Sequence, residues 1–166
     1  SAGGLDSLEK FFKKMPPDNG LAFVVVQHLS PDYKSMMVEL LSKHTRMKVQ
    51  HAVDGSMIRP DTVYLIPPKR QLTIEEGKLY LVEQVTVSGI NLPIDIFFRS
   101  LARDQESQAI AVILSGTGTD GTLGGRVVKE VGGYVLVQAP ESAQFVGMPK
   151  SAIQTGIADS ILPPEK

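Results

Sequence analysis

The stretch AIAVILS-GTGTDG-TLGGRVVKEV, residues 109–131, decides the fold class of this 166-residue chain. Its first seven residues are a nearly continuous apolar run, which is typical of a strand buried on both faces. A glycine-rich turn follows at residues 116–121, and the residues after it have helical periodicity. The strand YVLVQ, residues 134–138, comes next. The order of strand, helix and strand predicts a parallel β-α-β unit.

Strands and helices alternate along the rest of the chain as well. Helices are predicted over residues 5–15, 35–44, 93–104 and 148–156; strands over 22–28, 48–52, 62–67 and 157–163; and a hairpin over 71–83, turning at Glu76-Gly77. We therefore expect an α/β fold: a doubly wound, mostly parallel sheet with helices on both faces and an edge β-hairpin. No linker or repeat interrupts the pattern, so residues 1–166 are expected to form one domain.

The composition excludes several classes of function. With 17 basic and 18 acidic residues the formal net charge is -1, which gives no bulk attraction to nucleic acid or to an anionic membrane. The absence of cysteine excludes disulfides, thiolate metal sites and cysteine nucleophiles. No apolar run is long enough to span a bilayer. The early charges at Asp6, Glu9 and Lys10 are unlike a secretory signal, so we expect a cytoplasmic protein without membrane insertion.

Two polar residues stand where ligands bind in an open α/β sheet, at the carboxyl ends of strands. Ser1 precedes a helix, where free N–H groups can stabilise an oxyanion, although a plain helix-capping serine fits the segment too. His28 closes the apolar run FVVVQ and is a candidate general base, or equally a hydrogen-bonded structural histidine. A helix-end position explains His44, and His51 is expected at the surface.

The glycine-rich turn carries a third candidate, Asp120, and a competing interpretation. Asp120 could orient a catalytic imidazole, or could simply cap the helix that follows. Gly116, Gly118 and Gly121 also fit the G-x-G-x-x-G pattern of dinucleotide-binding turns, and Glu141 lies about where a ribose-binding acid is expected. That pattern normally opens a fold at its first strand, whereas here it comes late. A nucleotide-binding module therefore stays open as an alternative.

Six blocks of the sequence together resemble a known family. SAGGL, VVVQHLSP, YLIPP, PIDIFFRSLA, LSGTGTDGTLGG and FVGMPKSAI have the order and approximate spacing found in the chemotaxis protein-glutamate methylesterase catalytic domain of CheB type. The resemblance extends from Ser1 to about Ile157. The S-A-G-G and G-T-G-T-D-G variants look most like the modules that are fused to a receptor methyltransferase.

The resemblance implies a Ser-His-Asp triad with Ser1 as nucleophile, His28 as base and Asp120 as orienting acid. It implies hydrolysis of glutamate methyl esters on methyl-accepting chemoreceptors, with deamidation of glutamine in some relatives, and no metal or organic cofactor. A catalytically degenerate regulatory domain, which would bind receptors without cleaving the ester, stays open as a second alternative.

The resemblance also implies a set of residues around the substrate. The backbone of Ala2 and of Thr117-Gly118 would supply the oxyanion donors. Met148, in the segment 145–149, would shape the site, although a plain core role explains that residue equally well. Stand-alone relatives carry methionine in place of Thr117 and usually threonine in place of Ala2, so the packing around the ester could differ.

The family normally has a hydrophobic strand that ends just before the nucleophilic serine. No such strand precedes Ser1 here, so the sheet is expected to lack a central strand. We favour a fragment of a longer protein as the explanation. An N-terminal nucleophile that uses its own amine as base is the alternative.

Overall fold

The computed structural model describes residues 3–27, 36–84 and 92–166. Its helices are α1 (Gly4–Lys14), α2 (Met37–Ser42), α3 (Pro93–Gln105), α4 (Thr122–Glu130) and α5 (Gly147–Gln154). Its strands are β1 (Ala22–Val25), β2 (Lys48–His51), β3 (Ser56–Met57), β4 (Thr62–Leu65), β5 (Arg70–Glu75), β6 (Lys78–Glu83), β7 (Ile110–Ile113), β8 (Tyr134–Gln138) and β9 (Ser160–Leu162). Each helix and strand predicted from the sequence is present, most with shorter bounds.

The parallel strands form two groups of three. In one group β4 lies between β1 and β2, and in the other β8 lies between β7 and β9, with parallel pairing throughout. All four residues of β4 are buried, as expected for a central strand covered on both faces. The doubly wound α/β class is confirmed, with its parallel strands divided between these two groups.

Alternate residues of β4 show that helices cover both faces. Val63 and Leu65 point into a core with α1 and α2, whereas Tyr64 belongs to a larger core with α3, α4 and α5. Successive side chains of a strand point to opposite faces, so the two cores lie on opposite sides of the sheet. In α1 the apolar face predicted from the sequence is the buried one, with Leu8 and Phe12 inside.

The hairpin predicted around Glu76-Gly77 is present as β5 and β6. Both turn residues have positive φ, 51° and 72°, which suits a two-residue hairpin turn. The hairpin does not extend either parallel sheet within the described ranges. It forms an antiparallel sheet with β3, a strand that is too short to show a sequence pattern, and packs on α3. The Asp104 carboxylate of α3 accepts the N–H groups of both turn residues, at 2.5 and 3.2 Å, and holds the hairpin there.

No described helix is long and apolar enough to cross a membrane.

Candidate active site

Asp120 lies in the turn between β7 and α4, at the carboxyl end of the parallel strand. Its side chain is 2% exposed. The two carboxylate oxygens accept backbone hydrogen bonds from Ile94 at 3.0 Å and Asp95 at 2.8 Å. These donors belong to the first turn of α3, where free N–H groups and the helix dipole favour an anion. The sequence analysis offered two roles for Asp120, as a cap of its own helix or as the acid that orients a base. The hydrogen bonds from Ile94 and Asp95 show its carboxylate held by α3, not capping α4, and its role beside a base stays a prediction.

A second carboxyl group, Asp95, lies beside it and was not found by the sequence analysis. Asp95 is 4% exposed and accepts hydrogen bonds from Gly121 at 3.0 Å and Gly124 at 2.7 Å, at the start of α4. Burial raises the pKa of Asp95, and the negative charge of Asp120 raises it further, while the two backbone hydrogen bonds act in the opposite direction. The pair therefore forms a compact acidic centre joining α3 to α4.

The glycine-rich turn is clamped by the segment before and within α5. Gly116 donates its N–H to the Phe145 carbonyl at 3.1 Å and accepts the N–H of Met148 at 2.9 Å. Gly147 lies so close that an added Cβ would stand 2.9 Å from the Gly118 nitrogen. Within the described ranges the Thr117 and Gly118 N–H groups, the predicted oxyanion donors, form no hydrogen bond, and both residues are exposed.

Met148 occupies the space that glycine leaves open at position 116. A Cβ on Gly116 would overlap the Met148 sulfur, and Met148 is 4% exposed within the larger core. Phe145, in contrast, is 39% exposed. Met148 thus packs against the glycine-rich turn from the side of the larger core. Its contact with substrate stays a prediction.

Ser115 and Gln138 join this turn to its surroundings and were also missed. The buried Gln138 side chain accepts the Ser115 N–H at 2.9 Å and donates to the Ser142 carbonyl at 3.0 Å. The Ser115 hydroxyl accepts the Phe145 N–H at 3.0 Å. A buried amide at the end of a strand, two residues before a proline, is a sequence signal too weak to have identified this network.

The start of α1 approaches the same edge of the sheet. Gly3 has a φ of +69°, and an added Cβ there would lie 2.6 Å from the Ser115 hydroxyl. The chain therefore needs glycine at this point both for its backbone conformation and for close approach. Three of the predicted site residues, Ser1, Ala2 and His28, lie outside the described residues, so their roles remain predictions.

The competing dinucleotide hypothesis meets an obstacle at the start of α4. A pyrophosphate bound there would need the free N–H groups of the helix N-terminus. The Asp95 carboxylate already accepts two of them, from Gly121 and Gly124, and the Gly116 N–H is bonded to Phe145. A buried carboxylate at the anion position repels a phosphate. The turn is thus built around an internal acid, and no group of three potential metal ligands occurs among the described residues.

These features define a doubly wound α/β domain whose candidate active site lies at the carboxyl end of β7. The chain belongs to the CheB methylesterase family, whose family model matches residues 1–166. The crystal structure of the Thermotoga maritima CheB methylesterase catalytic domain is similar to it with a TM-score of 0.90 and 33% identity. That similarity covers 99% of this chain and 89% of the solved one.

Two curated relatives set this similarity in context. The protein-glutamate methylesterase/protein-glutamine glutaminase of Thermotoga maritima is 34% identical over 170 residues, covering 100% of this chain and 49% of the relative. The "Uncharacterized 104.1 kDa protein in hypE 3'region" of Rhodobacter capsulatus is 46% identical over 126 residues, covering 76% of this chain and 13% of the relative. The chain spans half or less of the length of these two relatives. The family resemblance predicted from the six sequence blocks is confirmed.

Proposed function

We propose that this domain is a serine hydrolase that removes methyl groups from glutamate methyl esters on chemoreceptors and, by the same acyl chemistry, deamidates glutamine. The observation that carries the proposal is the family match over residues 1–166, since relatives that share it are named protein-glutamate methylesterase/protein-glutamine glutaminase. The buried Asp120 carboxylate, which would orient a catalytic imidazole, supports the same chemistry.

In this mechanism His28 takes the proton of the Ser1 hydroxyl as its oxygen attacks the ester carbonyl. The N–H groups of Ala2 and of Thr117-Gly118 stabilise the tetrahedral oxyanion. His28 then protonates the departing methoxide, which leaves as methanol. Water, deprotonated by His28, attacks the acyl-enzyme, and His28 returns the proton to the Ser1 oxygen as the glutamate carboxylate of the receptor is released. Asp120 holds the imidazole in the tautomer that accepts this proton and stabilises the imidazolium. Its own two hydrogen bonds to the α3 backbone fix the carboxylate in one orientation.

The test is methanol release from methylated receptor by the full-length protein and by variants. Asp120→Asn is expected to lower kcat by about 10⁴-fold, because an amide cannot hold the imidazole in the required tautomer. Ser1→Ala is expected to lower it to background. Receptor binding with no methanol release by the unaltered protein would instead support a degenerate regulatory domain.

Asp104→Asn is a matched control for Asp120→Asn. Each carboxylate accepts the N–H groups of two consecutive residues, Asp120 from Ile94 and Asp95, and Asp104 from Glu76 and Gly77. Each substitution therefore places an amide NH₂ group against one backbone donor. Asp104 serves the hairpin turn, so its variant should keep full activity. Equal losses in the two variants would contradict a catalytic role for Asp120.

The proposal also includes a further strand between β1 and β7. A cavity of about 1090 Å³ separates β1 from β7, and within the described residues neither strand has a partner on the cavity side. The solved catalytic domain has 11% of its chain outside the match, since 89% is covered. We infer that a strand of the complete protein, preceding Ser1 in the chain, fills this cavity and joins the two parallel groups into one sheet.

The cellular setting follows from the same relatives. The 104.1 kDa relative has most of its chain outside the match, which supports a multidomain parent protein with a fused methyltransferase or another regulatory domain. A chemoreceptor substrate implies action on the cytoplasmic side of the membrane, where the receptor glutamates are modified.

A further inference from the structure

Asp95 is a buried acid for which the reaction outlined above has no use. It lies in the first turn of α3, and its Oδ1 atom accepts two backbone hydrogen bonds from α4. A buried carboxylate is costly unless it is hydrogen-bonded or has a partner. Backbone capping of α4 could be done by an uncharged residue such as serine or asparagine. The presence of a second acid next to the triad acid therefore needs another explanation.

The two aspartates hold each other's helices. Asp120, which precedes α4, is bound by the N–H groups of α3; Asp95, which lies in α3, is bound by the N–H groups of α4. The two side chains lie close enough for the negative charge of Asp120 to raise the pKa of Asp95. This crossed arrangement makes the position of the Asp120 carboxylate depend on Asp95, because any shift of α3 against α4 stretches both pairs of bonds.

The charges around Asp95 are few. Within the described residues, the titratable group that acts on Asp95 is Asp120, and α4 contributes only the backbone N–H groups of Gly121 and Gly124. Burial is the largest cause of the raised pKa of Asp95, followed among the raising causes by the negative charge of Asp120. Above the pH range in which Asp95 takes up a proton, its negative charge stands next to the Asp120 side chain.

We propose that Asp95 is a positioning residue of the esterase site, which fixes Asp120 and adds a second negative charge behind the Asp120–His28 pair. The proposal rests on the triad proposed above. An imidazolium that forms on His28 during catalysis is then stabilised by two carboxylates instead of one. Protonation of Asp95 at acid pH weakens this support. The Asp95 side chain is hydrogen-bonded to the start of α4, so in this proposal its effect reaches the reaction through Asp120.

The test is the pH profile of kcat/KM for Asp95→Asn in the full-length protein. The amide oxygen can still accept the hydrogen bonds from Gly121 and Gly124, so these contacts with α4 are kept while the charge is removed. We expect kcat/KM at neutral pH to fall about tenfold and the acid limb to move to lower pH by about half a unit or more, because the imidazolium loses a nearby opposite charge.

Asp104→Asn removes a carboxylate from the same helix and should leave the acid limb in place. If the role of Asp95 were purely structural, Asp95→Asn would lower kcat/KM by the same factor at every pH. An acid limb that superimposes on that of the unaltered protein would therefore overturn the proposal. Full activity in Asp120→Asn would instead overturn the triad itself, and the role of Asp95 with it. The two failures are distinguishable because they come from different variants.

A second measurement uses the unaltered protein and does not depend on how Asp95→Asn folds. Carboxyl ¹³C NMR should show a raised pKa for Asp95, because burial and the negative charge of Asp120 both raise it. An Asp95 carboxyl that titrates like an exposed aspartate would overturn the proposal, because its charge would then not act on Asp120.

Discussion

Asp95 and Asp120 show how a fold can hold two acids side by side at the starts of two helices. Each carboxylate accepts two backbone N–H groups from the helix of the other, so the hydrogen bonds are made at the positive ends of two helix dipoles. The sequence predicted Asp120 as a candidate because it follows the strongest strand. It could not predict Asp95, because PID at the start of a helix is also what an ordinary first-turn acid looks like.

The raised pKa of Asp95 predicts a dependence of stability on pH. The folded pKa lies above the unfolded one, so the protonated carboxyl adds stability that is fully present below about pH 4 and is lost as the pH rises through the folded pKa. Asp95→Asn has no such titration. Its free energy of unfolding, relative to the unaltered protein, should therefore increase from acid to neutral pH. Urea unfolding of both proteins at several pH values measures this, and a constant difference would contradict it.

The turn between β7 and α4 owes its shape to a neighbouring segment as much as to its own glycines. Gly118 and Gly121 have positive φ, which the sequence pattern could suggest. The clamp by Phe145, Gly147 and Met148 joins residues about thirty positions apart, and no local pattern predicts such contacts. The hairpin and the helices, in contrast, could be predicted because their patterns are local. The packing of the hairpin on α3 through Asp104 joins distant residues and could not be predicted.

Gly147→Ala is predicted to displace the glycine-rich turn, which contains the proposed oxyanion donors Thr117 and Gly118. The new methyl group would meet the Gly118 nitrogen at 2.9 Å and the Gly116 and Gly118 carbonyls at 3.3 Å, all of them backbone atoms that cannot rotate away. We expect a stability loss of about 1–3 kcal/mol and a larger proportional loss of kcat than of substrate affinity. Thermal unfolding and steady-state kinetics measure the two effects.

Gly116→Ala is the matched comparison for Gly147→Ala. Its methyl group would meet the Met148 side chain instead of backbone, so a second change, Met148→Ala, should recover part of the stability that Gly116→Ala loses. The same second change should not rescue Gly147→Ala. Rescue of both variants by Met148→Ala would show that the backbone clash is not what matters at Gly147.

Within the part of the chain that the structure describes, a cavity lies between the two groups of parallel strands, beside the candidate active site. The cavity is lined by β1 on one side and β7 on the other, and by apolar residues of α1 and α3 above and below. Exposed strand edges facing an apolar cavity are unfavourable, because backbone groups there lack partners and apolar surface stays uncovered. A strand that fills the cavity would pair with β1 and β7 and so join the two groups of parallel strands into one sheet.

Hydrogen exchange on a longer chain that includes the segment before Ser1 tests this strand. The Val25 carbonyl bonds to Ile66, and the Ala109 carbonyl to Tyr134, so Val25 faces β4 and Ala109 faces β8. Because bonding sides alternate along a strand, the N–H groups of Val24 and Val112 face the cavity. Their exchange should slow in the longer chain, while that of Val25 changes little. Unchanged exchange at Val24 and Val112 would contradict the strand, since any segment paired with β1 and β7 must bond to these groups.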